Sequence, residues 1–428
     1  VTLQYLDWFL LAWLISCLGA PAATVYFAHR YLKSRHRYQP PRPLSPPISI
    51  VRPMRGASHN LLNNLEGTFR SEYAGAIELV CVIEDPDDEA GTIVRQLQER
   101  NPDQNIRLVV SHGRASIFGK HANLIAGYEA AANEIVVFSD ADVRIEPGLL
   151  QEMIPPLMHP HVGGSTTGFY QDFASDLPTA LMAMFVNTFA WVPNLAIRQI
   201  GELRWCVGGL MAFRKPVIER LGGLAAIMAD KISDDAALGK CLHNHGYSIY
   251  LCGTPYHVIR KEPSVPAIFF NIHRWMLMYR TQDWDVYLNV LRVCSVFPLF
   301  IWWISALVGH SSLPMVAWIT AFSVVWEIFW GKVGVDQFIP GPNTFWMRYC
   351  GRLVALVLIA AAWMWGLLWP FTAWGGRMYR VFYEGGAELV GRVEPPPALE
   401  GTRLRKAIQT GKAKGREAVR LLRLRLSG

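Results

Sequence analysis

Short apolar runs alternate with helix-like stretches from Ile48 to about Val258. "ISIVRP", "IELVCVI", "IRLVV" and "EIVVF" are rich in Ile and Val and predict strands, and 60–69, 90–100 and 123–132 between them predict helices. Strands apolar on both faces, each followed by a helix, predict an α/β fold with a mostly parallel sheet and helices on both faces. Such sheets bind ligands at the carboxyl ends of their strands. Acids gather there in this chain: Glu84, Asp85, Asp87 and Asp88 close the second strand, and Asp140 and Asp142 close the fourth.

Longer apolar patterns flank this region. Residues 6–27 are almost wholly apolar and are followed by His29, Arg30, Lys33, Arg35 and Arg37. About 20 such residues cross a bilayer as a helix. Charges placed after the run fit an uncleaved anchor better than a leader, and they argue that the chain beyond residue 28 stays cytoplasmic. Five prolines in 38–47 read as a linker. Past Val258, Phe269, Ile272, Trp275, Met276 and Tyr279 form a stripe that predicts a helix lying along a membrane surface, with Arg274 near the opposite side. Three apolar segments follow, at about 289–308, 312–330 and 352–374. If all of them cross together with the anchor, the basic tail ends on the side opposite the α/β region, against the charge rule. Pro370 offers an alternative, in which the last segment turns back before it spans.

Composition supports a membrane protein, with 51% hydrophobic residues and 16 tryptophans in 428. The formal charge of +7 belongs to the tail. Residues 401–428 hold nine Lys/Arg against Glu417, a local net of +8, which leaves about −1 for the rest. That tail predicts either an amphipathic helix on anionic lipid or a solvated extension. A basic tail without a reader motif gives no nucleic-acid site. The seven cysteines show no CxxC spacing and predict neither a disulfide framework nor structural zinc, which suits a reducing compartment.

The chemistry gathers in two places. "SDAD" (139–142) puts two carboxylates at a strand end, where both reach one hard cation together with the diphosphate of a nucleotide. "KISDDAALGKCL" (231–242) opens a helix with Asp234 and Asp235, either of which can cap it while the other serves as a general base. Gly208 and Gly209 upstream either admit a sugar close to the backbone or simply turn the chain.

The segments "RPMRGASHNLLNNLEGTF" (52–69), "CVIEDPDD" (81–88), "GKHANL" (119–124), "SDADVR" (139–144), "CVGG" (206–209) and "SDDAALGKCL" (233–242), then Arg274-Trp275, resemble the ceramide glucosyltransferase family. The likeness extends to about residue 386. It implies a glycosyltransferase-A-like fold with an anchor at 1–28, a linker at 29–47 and a cytosolic catalytic domain at 48–258. An interfacial segment at 259–288, membrane segments at 289–375 and an extension at 376–428 complete the implied organisation. It further implies Asp88 near the nucleotide, Lys120 and Asn123 near phosphate or nucleotide, and Asp140 with Asp142 at a diphosphate-bound Mg²⁺ or Mn²⁺. Asp235 would be the catalytic base. Arg274 and Trp275 match the RW of a (Q/R)xxRW signature, with Arg274 able to hold the departing diphosphate; its first position is Asn271 here, shorter and uncharged.

The implied reaction is an inverting displacement at a UDP-sugar by a lipid hydroxyl, on an integral membrane protein of the bacterial inner membrane or another cytoplasm-facing membrane. UDP-glucose and ceramide are the donor and acceptor that the resemblance favours. UDP-galactose, UDP-N-acetylglucosamine, diacylglycerol and hopanoid polyols are the other candidates. A processive polysaccharide synthase would use the same acids, and a binding protein with a dead nucleotide site is the alternative of another class.

Overall fold

The computed structural model describes residues 5–34, 44–57, 60–172, 176–340 and 344–392. The basic tail and most of the proline-rich stretch lie outside them. The first element, α1 (Tyr5–Ser34), continues past residue 28, where the sequence placed the end of the anchor. Packing explains the extra length. Val25, Ala28 and Tyr31 belong to the core under the main sheet, and the buried Tyr31 hydroxyl donates 2.5 Å to the carbonyl of Leu251.

The expected strands are β1 (Ile48–Pro53), β2 (Ile77–Ile83), β3 (Asn105–Val110) and β4 (Ile135–Ser139). Between them lie α2 (Leu61–Gly67), α3 (Glu89–Arg100) and α4 (Gly119–Ala130). The chain continues through β5 (Val143–Arg144), α5 (Leu149–Met153), β6 (Val162–Thr166), β7 (Phe169–Gln171), α6 (Leu177–Phe189) and α7 (Val192–Ile200). Next come β8 (Leu210–Arg214), α8 (Lys215–Arg220), α9 (Leu224–Met228), α10 (Asp234–Asn244), β9 (Ser248–Leu251) and β10 (Tyr256–Val258).

The main sheet has the order β3-β2-β1-β4-β8-β6-β9. Strands β1 to β4 pair in parallel, whereas β8 runs antiparallel to both β4 and β6. A second sheet, β5-β10-β7, stands beside it. The period of two sends Ile48 and Ile50 of β1 to one core and Val51 to the other, so both faces of the sheet are buried. The reversed β8 positions the site: its amino end meets the carboxyl end of β4, and the amide of Asp140 donates 2.8 Å to the carbonyl of Gly209.

The remaining helices are α11 (Val265–Gln282), α12 (Trp284–Val293), α13 (Val296–Leu307), α14 (Leu313–Phe338) and α15 (Phe345–Leu368). A third sheet follows, β11 (Phe371–Trp374), β12 (Arg377–Val381) and β13 (Ala387–Arg392). Among the described residues, the helices at 5–34, 177–200, 313–338 and 345–368 are long and apolar enough to cross a membrane, and α12 with α13, bent by 56°, would make a fifth. The run 177–200 was not foreseen. It is folded into the protein, with Met182 and Ala183 of α6 fully buried.

Side-chain contacts give the helices a common direction. Asp7 in the first turn of α1 accepts from Trp302 Nε1 (2.7 Å) and Ser311 (2.5 Å), while His29 near its other end lies 2.7 Å from Gln337. Thus α13 leads away from the main sheet and α14 returns. Helix α15 begins beside α6, where Asn187 reaches Met347, and ends beside α11, where His273 meets the carbonyl of Trp369. The strands after it rest on the end of β2 through Arg377 and Glu84. Residues 371–392 thus come back to the side of β2, while α15 itself stays an unbroken helix, long and apolar enough to cross a membrane, that ends before Pro370.

The stripe on α11 also differs from expectation. Ile272 and Met276 are buried against α6 and α15, and Trp275 stacks on Phe185, so this face packs on protein. Its apolar period records a core contact.

Candidate active site

The two strand ends at β4 and β8, the first turn of α10 and one side of α11 enclose a cavity of about 640 Å³. Asp140, Asp142, Lys120, Asp235, Arg274 and Trp275 all line it. The structure thus gathers six of the eight residues that sequence reasoning selected. Asp88 and Asn123 stand outside the lining. Asp88 caps α3 through the amide of Ala90 (2.9 Å) and holds the amide of Gly56 (2.8 Å). Asn123 is buried between Ser111 and the carbonyls of Met54 and Val82.

Lys120, the second residue of α4, bridges two acids. Its ammonium is 2.8 Å from Asp140 Oδ1 and 3.1 Å from Asp234 Oδ2. Burial alone would raise the Asp234 carboxyl, but Lys120 and His121 hold it well below the usual carboxylate range. Asp142 is paired with Arg260 at 3.4 Å, and Arg260 is anchored by Glu262 at 2.7 Å. Burial and the neighbouring Asp140 push the Asp142 carboxyl up, with Arg260 opposing them. Beneath both acids the buried Arg52 donates to the carbonyls of Asp140 (3.2 Å) and Val143 (3.0 Å), which fixes the loop.

Both Asp234 and Asp235 line the cavity, Asp234 being the more buried of the two. Neither is the cap of α10. That place belongs to Ser233, whose hydroxyl accepts from the amide of Ala236. Asp235 Oδ2 accepts from the amide of Gly208 (2.7 Å), and Oδ1 accepts from the amide of Ala236 (2.8 Å) and the hydroxyl of Ser233. Burial and the adjacent charge of Asp234 push its pKa up, toward values useful to a base. The two glycines have a packing reason. A Cβ on Gly208 would fall 2.6 Å from Asp235 Oδ2, and Gly209 has φ +113 and lies against the hydroxyl of Tyr256.

Arg274 projects from α11 between two supports. It donates 2.8 Å to Asn271 Oδ1, and its guanidinium lies 4.7 Å over the ring of Trp374. Asn271 therefore orients the arginine. Burial, reinforced by Arg260, lowers the Arg274 pKa to about 10, which leaves it charged at neutral pH. The far wall of the cavity is apolar, with Phe185, Phe189 and Ala190 of α6 and its end, Met276 of α11 and Ile359 of α15.

A divalent ion fits this donor set in one way. Carboxylate oxygens are the ligands Mg²⁺ or Mn²⁺ takes, and one or two of them suffice when a substrate phosphate supplies the others. Among the described residues no three His, Cys, Asp or Glu side chains converge on a point. Asp140, with Asp142 beside it, would hold the ion jointly with a bound diphosphate, at the place where Asp140 now meets Lys120.

The model of glycosyl transferase family 21 matches residues 14–387. The chain belongs to that family. Relatives include ceramide glucosyltransferase 1 of Caenorhabditis elegans, 24% identical over 281 residues, or 64% of this chain and 59% of that one. Ceramide glucosyltransferase 3 of the same organism is 23% identical over 233 residues, 54% of this chain and 50% of the other. This family 21 chain thus spans between half and three fifths of the length of those curated relatives. Among solved structures, the mannosyltransferase PcManGT of Pyrobaculum calidifontis, in complex with GDP-Man and Mn²⁺, aligns with a TM-score of 0.56 at 18% identity. That alignment covers 85% of this chain and 99% of the other, and it shows a shared mixed α/β fold related to glycosyltransferase-A-like enzymes.

Sequence reasoning passed over Arg52, Arg260, Tyr256 and Trp374. Arg260 follows a strand in "VIRKEP" and carries no motif; only the fold brings it to Asp142, more than a hundred residues away.

Proposed function

We propose that the chain is an inverting, metal-dependent glycosyltransferase that moves glucose from UDP-glucose to the hydroxyl of a membrane lipid, ceramide, giving a β-glycolipid. One observation carries this reading: a single cavity is acidic and cationic at the strand ends and apolar along α6, α11 and α15. A nucleotide sugar needs the first part and a lipid acceptor the second. Family membership and the names of the relatives supply glucose and ceramide.

Asp235 takes the proton from the acceptor oxygen as that oxygen attacks the anomeric carbon. Three donors fix its carboxylate, so little reorganisation accompanies the step. The bond to the UDP oxygen breaks on the opposite face, and the departing diphosphate gains negative charge. Arg274, Arg260 and Lys120 line the wall that would meet it. An ion held by Asp140 and Asp142 would stabilise the same charge. Asp88 lies at the nucleotide end in this proposal, and Asn123 holds β1, β2 and α4 together beneath it. Trp275 forms part of the acceptor wall. The catalytic domain faces the cytoplasm, in keeping with the basic residues that follow the anchor.

The test uses purified protein in detergent with labelled UDP-glucose, UDP-galactose or UDP-N-acetylglucosamine, each offered ceramide, diacylglycerol or a hopanoid polyol. Label entering ceramide from UDP-glucose is the expected result. Transfer to another lipid or from another sugar changes the assignment of that partner only. Growth of a soluble polymer with no labelled lipid overturns the reading in favour of a polysaccharide synthase, and no consumption of any donor leaves a binding protein.

A further inference from the structure

Trp374 and Tyr383, from the segment that follows the last long helix, line the cavity. Gly375 and Gly376 both have positive φ (58° and 72°), giving a two-residue turn of the kind that closes a hairpin. The turn sets Trp374 opposite Arg377. Arg377 pairs with Glu84 at the end of β2 and donates 2.9 Å to the carbonyl of Ile117, just before α4. Farther on, the carbonyl of Gly385 accepts from Ile232 (2.7 Å), next to the Ser233 cap of α10. Trp374 points inward. Its ring lies under Arg274 and meets His121, which faces Asp234, edge-on at 5.6 Å.

We propose that Trp374 is a positioning residue for Arg274, and that the β11–β12 hairpin completes the active site. A guanidinium is planar, with its N–H groups in the plane and an aromatic-seeking face. Trp374 covers that face and Asn271 takes one N–H group, which leaves the remaining in-plane donors for the cavity. The wall supplied by residues 371–387 thus aims the group that meets the departing diphosphate. Anchors at Glu84, Ile117 and Ile232 register it against β2, α4 and α10 at once.

This inference rests on the glycosyltransferase reading of the same cavity, and the experiment separates the two. Full-length W374L, W374F, R274A and the double variant R274A/W374L are compared for UDP binding, kcat, KM for donor and for acceptor, and thermal melting. Leu keeps apolar contact with Phe118 and His121 but offers no ring face. W374L should lose about 5- to 30-fold in kcat, the range of a desolvated cation–π contact, with KM for acceptor unchanged. W374F should recover most of the loss. In the R274A background W374L should add less than twofold. Equal kcat for W374L and wild type, or the same loss with and without Arg274, overturns the inference while leaving the enzyme reading intact. Loss of the W374F rescue, with melting unchanged, overturns it as well. A wild type that neither binds UDP nor consumes any UDP-sugar overturns the functional reading and this inference with it.

Discussion

Lys120 places its ammonium 2.8 Å from the carboxylate of Asp140, and the same ammonium reaches Asp234 at 3.1 Å. One lysine on α4 therefore joins the acid at the end of β4 to the acid that opens α10. Removing one partner of a buried pair leaves uncompensated charge, typically at a cost of about 3–5 kcal/mol. K120M should lower the melting temperature and weaken UDP-sugar binding. K120M/D234N should regain part of the lost stability, because it also removes the acid that K120M strands. Additive losses in the double variant, measured by thermal melting, would count against the bridge.

The two acids of 139–142 should separate in their effects. Asp140 meets only the movable end of a lysine in the cavity, whereas Asp142 is held by Arg260 and that arginine by Glu262. D140A should abolish turnover and D142A should impair it less. Chelation of the wild type should reproduce the loss, with recovery on adding Mg²⁺ or Mn²⁺. Full turnover after thorough chelation refutes the metal assignment.

The base assignment has a pH signature. A general base works deprotonated, so turnover should rise with pH through the pKa of Asp235. Burial and Asp234 raise that value, placing the acidic limb above the usual carboxylate value of about 4. D234N removes a like charge and should move the limb down; K120M removes an opposing charge and should move it up. D235N should lose about 10²–10⁴ in rate while still binding UDP-sugar. The linked stability runs the other way for the depressed Asp234. Its contribution is complete above about pH 4 and is lost as pH falls toward its lower folded value. A D234N variant that is dead beside an active D235N would exchange the two roles.

Sequence pattern carried some parts of the molecule well for a physical reason. Strands β1, β2 and β4 are buried on both faces and so read as plain Ile/Val runs, and the acids at the ends of β2 and β4 follow from the chain direction. Pattern cannot say what a face is buried against. The stripe on α11 that suggested a membrane surface meets α6 and α15, and the apolar run 177–200 was hidden among strand signals. Arg260 and Trp374 escaped because their partners, Asp142 and Arg274, lie 118 and 100 residues away in the chain. Such pairings belong to the fold.

Among the long apolar helices, Glu327 of α14 is buried with Arg352 of α15 at 2.5 Å, and Ser295 at the break between α12 and α13 donates to the same glutamate at 2.8 Å. This trio ties the bent pair to the two helices that follow. E327L leaves the arginine alone in an apolar setting and should destabilise by about 3–5 kcal/mol. E327L/R352M, which removes both charges, should be closer to wild type in detergent melting. Equal melting temperatures for E327L and wild type would show that the pair contributes nothing.

The apolar wall provides the sharpest test of the acceptor class. Ala190 and Ile359 line the cavity from different helices, away from the acids, so filling the space near either one should obstruct a hydrocarbon chain without touching the donor contacts. A190W adds an indole where a methyl now stands, and I359W extends from α15 toward α6. Either should raise KM for ceramide at least several-fold and penalise long chains more than short ones. UDP binding and slow hydrolysis of UDP-glucose in water should stay near wild type, because Lys120, Asp140 and Asp235 are undisturbed. Acceptors of graded chain length, assayed with each variant, give the slope that decides. A short-chain ceramide that is transferred normally while the long-chain form is rejected places the hydrocarbon along α6 and α15. Equal loss for all chain lengths, or loss of UDP binding, would mean that this wall serves the donor, and the lipid would then have to enter elsewhere.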